Sequence, residues 1–203
     1  MSEAVDTRAF LDTQSDAPDA PMEEQEPPTP EEIRLVWQQP IVLVPAFLLT
    51  VLTLAVLGAS AHGIIGACFV AILVVLAAID IEYRVIPNRI VLPAAALVLV
   101  AQLAFYPGNA PEWVVASLGA ALFLLIPLLI FPSGMGLGDV KLALLIGAML
   151  GQDVIPALLI GFLSLWPVGL YLIATQGWSA RKAKVPLGPS LAFGAIVVLL
   201  LSG

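Results

Sequence analysis

Apolar runs of about 20 residues recur along this chain, the length an α-helix needs to cross the hydrocarbon core of a bilayer. Seven can be marked, at 41–60, 63–80, 89–106, 113–131, 140–151, 154–174 and 188–202. Turn-forming stretches separate them: AHG at 61–63, IPN at 86–88, YPGNAP at 106–111, PSGMGLGD at 132–139, GQD at 151–153 and a polar stretch from Gln176 to Pro186. The fifth run is short and follows a glycine-rich turn, so it is expected to be tilted or only partly embedded. Composition agrees with this pattern. Only 11% of the residues are charged and 60% are hydrophobic, against roughly 25% charged in soluble domains. The expected fold is all-α, a polytopic transmembrane bundle of six to seven spans over residues 41–203.

The charge is unevenly placed. Ten of the fifteen acids lie in residues 1–32, with Arg8 as the one base there. The net charge of -7 therefore describes an acidic, proline-rich tail and gives no reason to expect a nucleic-acid partner. Such a tail buries too little apolar surface to offset chain entropy, and disorder is expected for it. Residues 33–40 then form an interfacial lead-in, with Trp37 at headgroup depth. No cleavable signal peptide is visible. Cys68, the single cysteine, permits no internal disulfide and no cysteine-rich zinc site; a small lipid- or protein-facing residue is its simplest reading.

Placing the N-terminus inside puts every base on one side. Arg8 and Arg34 precede the first span, Arg84 and Arg89 follow the second, Lys141 follows the fourth, and Arg181, Lys182 and Lys184 follow the sixth. The opposite loops have none. The positive-inside rule then gives a cytoplasmic N-terminus and an external C-terminus.

Beyond residue 32 the acids are Asp80, Glu82, Glu112, Asp139 and Asp153. Glu112 and Asp153 fall in outer loops, where water solvates them. Glu82 lies in a basic inner loop and reads as solvated or arginine-paired. Asp80 and Asp139 differ, because a carboxylate inside a span costs about 2.5–3.5 kcal/mol. Asp80 ends the run FVAILVVLAAI, and Asp139 opens the run VKLALLIGAML. Both belong to the inner edge, one at a helix C-terminus and one at an N-terminus, where the helix dipole acts on them in opposite senses. A pair unequal in this way suits general acid–base work on a peptide bond: one carboxylate activates water while the other, protonated, polarises the carbonyl. Two unrelated interfacial charges would give the same spacing.

Gly134, Gly136 and Gly138 alternate ahead of Asp139. They permit close backbone approach, so an extended peptide substrate can be gripped there by main-chain hydrogen bonds; a flexible turn is the plainer alternative. Asn88 reads as an N-cap of the third span. Lys141 either orients Asp139, meets lipid phosphate, or snorkels to the interface. His62 sits in an outer loop, away from both aspartates.

Three stretches in order, AIDIEYRVIPN, GMGLGDVKL and KVPLGPSLAFG, resemble the signatures of the prepilin peptidases, also called type IV leader peptidases, which are GxGD-type membrane aspartyl proteases. The resemblance covers roughly residues 41–202. It implies that Asp80 and Asp139 are the catalytic pair, with no cofactor and no metal. It also implies cleavage of prepilin-like precursors after a short basic leader, at the cytoplasmic face of a bacterial inner membrane. Longer members carry an insert with two CxxC pairs between their first two spans, linked to N-methylation of the new terminus. Here that insert is lacking, so neither methyltransferase activity nor structural zinc is expected, and the chain is similar to short peptidase-only forms serving Flp-type pili and related secretion systems. Two other readings, a proton-coupled transporter and a non-enzymatic assembly factor, make different demands on the aspartates: proton carriage in the first, dispensability in the second.

Overall fold

The computed structural model describes residues 29–130, 135–176 and 186–202. The acidic tail through residue 28, Gly134, and the basic cluster Arg181, Lys182 and Lys184 lie outside the described residues, as do the side chains of Arg34 and Trp37. The described chain is helical, with no strand among the described residues.

A short helix, α1 (Pro30–Gln38), comes first. It starts within the stretch read as tail, and its start is written in the sequence TPEE. The Thr29 side chain accepts from the Glu32 N–H, Glu32 reaches back to the Thr29 N–H at 2.7 Å, and Pro30 occupies the first turn. This is a capping box with proline where its missing N–H costs nothing. Val36 is buried against Val42 and Ile79, which pins α1 to the end of the bundle that carries Asp80.

Seven apolar helices follow, matching the seven runs. They are α2 (Pro40–Leu57), α3 (Ala61–Tyr83), α4 (Asn88–Phe105), α5 (Ala110–Ile130), α6 (Leu137–Leu150), α7 (Val154–Gln176) and α8 (Gly188–Leu201). By length and composition, the stretches 40–57, 61–83, 88–105, 107–130 and 137–167 can each cross a membrane. The last is not one rod. A 3-10 turn at Gly151–Asp153 interrupts it, and Gly151 takes φ +57°, a left-handed conformation that favours glycine. The chain is a multi-pass membrane protein built as a helical bundle.

Burial explains the order of the helices. Large side chains on α2, α4, α5 and α7 point outward, among them Phe47, Leu97, Phe123 and Trp166, as expected of helices facing lipid. Cys68 is exposed on α3. In contrast, α6 is buried along most of its length, with Leu142, Ala143, Leu145, Ile146, Ala148 and Met149 almost fully enclosed. Glycine lets its neighbours close in: a Cβ on Gly147 would lie 2.5 Å from the Ala116 carbonyl oxygen of α5. The Ser117 hydroxyl, also on α5, donates to the Leu144 carbonyl of α6 at 2.8 Å. Helix α8 fits against α7 in the same way, with Gly194 set against Ala157 and Gly161.

Two helices are short. α6 and α8 have 14 residues each, which gives a rise of about 21 Å against a hydrocarbon thickness of about 30 Å. Gly161 of α7 lies beside Ser190 and Leu191 at the start of α8, so residues 162–176 of α7 continue beyond that contact. The first turn of α8 is thus set back from the end of α7, whereas the first turn of α6 packs on the connection between α3 and α4.

Candidate active site

Asp80 lies in the last turn of α3. That helix closes at Arg84, a non-glycine residue in the left-handed region (φ 54°), whose N–H donates to the Asp80 carbonyl at 2.9 Å. Val85 to Pro87 then lead into α4. Asp139 is the third residue of α6, and its Oδ2 accepts from the Gly136 N–H at 3.0 Å. This is the same reach-back that Glu32 makes in α1. Glu32 makes it in the open, whereas Asp139 is only 7% exposed. Burial of a capping carboxylate is costly, and a cap alone does not account for it.

A third segment joins the two. The N–H of Gly188, the first residue of α8, donates to Asp80 Oδ2 at 2.9 Å in a buried hydrogen bond. Gly138 packs so tightly on the Asp80–α4 connection that a Cβ there would lie 2.8 Å from Ile86 Cβ. Segments 80–88, 136–141 and 188 therefore meet at one end of the bundle.

Each carboxylate has one oxygen held by a glycine N–H. The other oxygen makes no hydrogen bond to a described residue, and it is not fully enclosed: among the described residues, the enclosed side-chain polar atoms lacking a partner are Gln102 Oε1 and Trp113 Nε1. Asp80 is 5% exposed. The pair is thus sequestered from bulk water but open at one oxygen apiece. That arrangement can position a water molecule and a carbonyl group between two carboxyls.

Several expectations change in detail. The contrast in helix polarity is weaker than the sequence suggests, because the N-terminus of α8 points at Asp80 and each carboxylate faces the positive end of a helix. Asn88 is not the N-cap of α4. Pro87 holds that position, and Asn88 is the first helical residue, its Oδ1 accepting from Lys141 Nζ at 2.5 Å. Lys141 therefore ties α6 to the start of α4 and does not bond Asp139. Glu82 is exposed and forms no ion pair among the described residues. His62 lies in the first turn of α3, the opposite end of that helix from Asp80, with its ring edge-on to Tyr106 at 6.1 Å. Gly136 and Gly138 stand beside Asp139.

Comparison with known proteins shows the family. Residues 67–178, which contain both aspartates, match the profile of the type IV leader peptidase family. The chain belongs to that family. It is 33% identical over 137 residues to a prepilin leader peptidase/N-methyltransferase of Bacillus subtilis (strain 168), covering 65% of this chain and 53% of that protein. It is 31% identical over 173 residues to a prepilin leader peptidase/N-methyltransferase of Pseudomonas putida, covering 82% of this chain and 60% of that protein. The chain thus spans little more than half the length of these curated relatives. No solved structure matches it.

Gly188 was missed as a site residue by sequence reasoning. Its motif, KVPLGPSLAFG, was legible, but its role was not. A backbone N–H has no signature in sequence, and its acceptor lies 108 positions away.

Proposed function

We propose that this member of the type IV leader peptidase family is a membrane-embedded aspartic endopeptidase that removes the leader from prepilin-like precursors, with Asp80 and Asp139 as its catalytic pair. The observation that carries the proposal is the pair itself. Two buried carboxylates from different helices are each fixed through one oxygen by a glycine N–H and left open at the other. One free oxygen takes a proton from water as the water oxygen attacks the scissile carbonyl. The other carboxyl, protonated, hydrogen-bonds that carbonyl. Collapse of the tetrahedral species breaks the C–N bond, and the departing amine receives a proton from the pair. General acid–base catalysis of this kind contributes about 10²–10⁴-fold.

Gly134, Gly136 and Gly138 would bind substrate by main-chain hydrogen bonds to an extended peptide on the approach to Asp139. The start of α6 at the end of the bundle suits a scissile bond at the edge of a transmembrane helix. The placement of bases on one side of the sequence supports a cytoplasmic active site in a bacterial inner membrane, with an N-in, C-out arrangement. Both relatives' names carry leader peptidase activity, which favours this reading over proton transport or a purely structural role in assembly.

The test is co-expression with a prepilin-like precursor, followed by terminal sequencing and mass measurement of the product. The wild type releases a single, unmethylated mature terminus. Asp80→Asn and Asp139→Asn each leave the precursor uncut while inserting normally. Processing at the wild-type rate by either variant sinks the assignment.

A further inference from the structure

The mechanism needs Asp80 to present one particular oxygen to the water, and a carboxylate at the end of a helix is free to rotate unless something holds it. On the reading of Asp80 as a catalytic residue, we propose that Gly188 is a positioning residue: its N–H, at the head of α8, fixes the Asp80 carboxylate, and its lack of a side chain makes that contact possible.

The geometry supports both halves of the statement. The N–H to Oδ2 distance is 2.9 Å in a buried setting. A Cβ on Gly188 would stand 2.6 Å from Asp80 Oδ2, 3.0 Å from Cγ and 3.1 Å from Cβ. Any side chain therefore drives the carboxylate away from the donor that holds it. As the first residue of its helix, Gly188 has an N–H with no partner within the helix, and Pro189 behind it carries no N–H at all. Gly188 is thus the first backbone donor that the head of α8 offers to Asp80. The contact also joins the head of α8 to the last turn of α3.

Other glycines on the α7–α8 seam serve packing alone, which gives a control. A Cβ on Gly161 would crowd Leu191 Cα and the Ser190 carbonyl at 3.1 Å each, without touching Asp80. The expected results for the full-length protein in vesicles therefore differ. Gly188→Ala lowers kcat for precursor cleavage by about 100-fold, as a misplacement near 1 Å does, with KM nearly unchanged and the pH profile of kcat altered. Gly161→Ala lowers thermal stability but leaves kcat of the folded fraction near wild type. Equal losses of kcat in the two variants, or wild-type kcat in Gly188→Ala, overturn the proposal. Hydrogen exchange of the Gly188 amide in glycine-labelled protein decides the matter even if Gly188→Ala fails to insert. Asp80→Ala should speed that exchange at least tenfold, and unchanged exchange refutes the contact. The two readings fail separately. An active Asp80→Asn removes the peptidase assignment itself, whereas an inactive Asp80→Asn beside a fully active Gly188→Ala removes only the role of Gly188.

Discussion

The two ends of the bundle treat their carboxylates differently. At the end away from Asp80, Glu112 has both oxygens occupied: Asn109 Nδ2 donates to Oε2 at 3.1 Å and the Gln152 N–H donates to Oε1 at 3.3 Å. Glu112 thereby ties α5 to the Gly151–Asp153 turn, and nothing is left over for chemistry. At the other end, Asp80 and Asp139 are more deeply buried, and each keeps one oxygen unused. Of the carboxylates that join separate segments of the bundle, Glu112 is satisfied at both oxygens, and the proposed catalytic pair is held at one oxygen apiece. The glycines divide in the same way. Gly147 and Gly194 meet backbone of neighbouring helices, whereas Gly136 and Gly188 meet carboxylates.

The sharpest way to break this contrast is to keep the charge and change the reach. Asp80→Glu or Asp139→Glu moves the free oxygen by a methylene, and processing should fall by about 10²-fold or more in either variant, with insertion unchanged as read by detergent-stable yield. Activity close to wild type would mean that the glycine clamps do not set the geometry. Next in size is a packing change away from the site. Gly147→Ala forces a Cβ against the Ala116 carbonyl and Ser117 Cα and should cost about 3 kcal/mol, seen as a lower thermal midpoint, while the surviving folded enzyme cleaves at its usual rate. A smaller effect is expected between the two regions of the site itself. Lys141→Met removes the bond to Asn88 and should slow cleavage about fivefold, the equivalent of about 1 kcal/mol for one exposed charge-assisted hydrogen bond. Asn88→Asp, which keeps an acceptor for Lys141, should preserve the rate. The smallest effect belongs to the far end: Glu112→Gln should alter stability by no more than about 0.5 kcal/mol and processing not measurably.

What the sequence reveals depends on the range of the interaction. The spans are legible because a run of apolar residues is a local signal; the α1 start in TPEE is equally local, a capping box within four residues, but the acidic, proline-rich composition around it leads to the expectation of disorder. Asp139 at the head of α6 follows from GLGD opening an apolar run. The register between helices is not local. Nothing in NRIVLPAAALVLVAQLAF announces that Gln102 is fully buried with its amide donating to the Met149 carbonyl at 3.1 Å. Nothing near Asn88 names Lys141 as its partner, and nothing near Asp80 names Gly188. The dipole argument shows the same limit: it placed each aspartate correctly on its own helix but could not include the head of α8, which packs in from the far end of the chain.

The central claim is that Asp80 and Asp139 share one site. Paired cysteines test it without any assumption about substrate: Asp80→Cys with Asp139→Cys, in a Cys68→Ser background, treated in native membranes with a short bifunctional thiol reagent. The account predicts an intramolecular cross-link between α3 and α6 in most molecules, and none when either cysteine is moved to the Glu112 position. Two cysteines that each react singly but never join would contradict it.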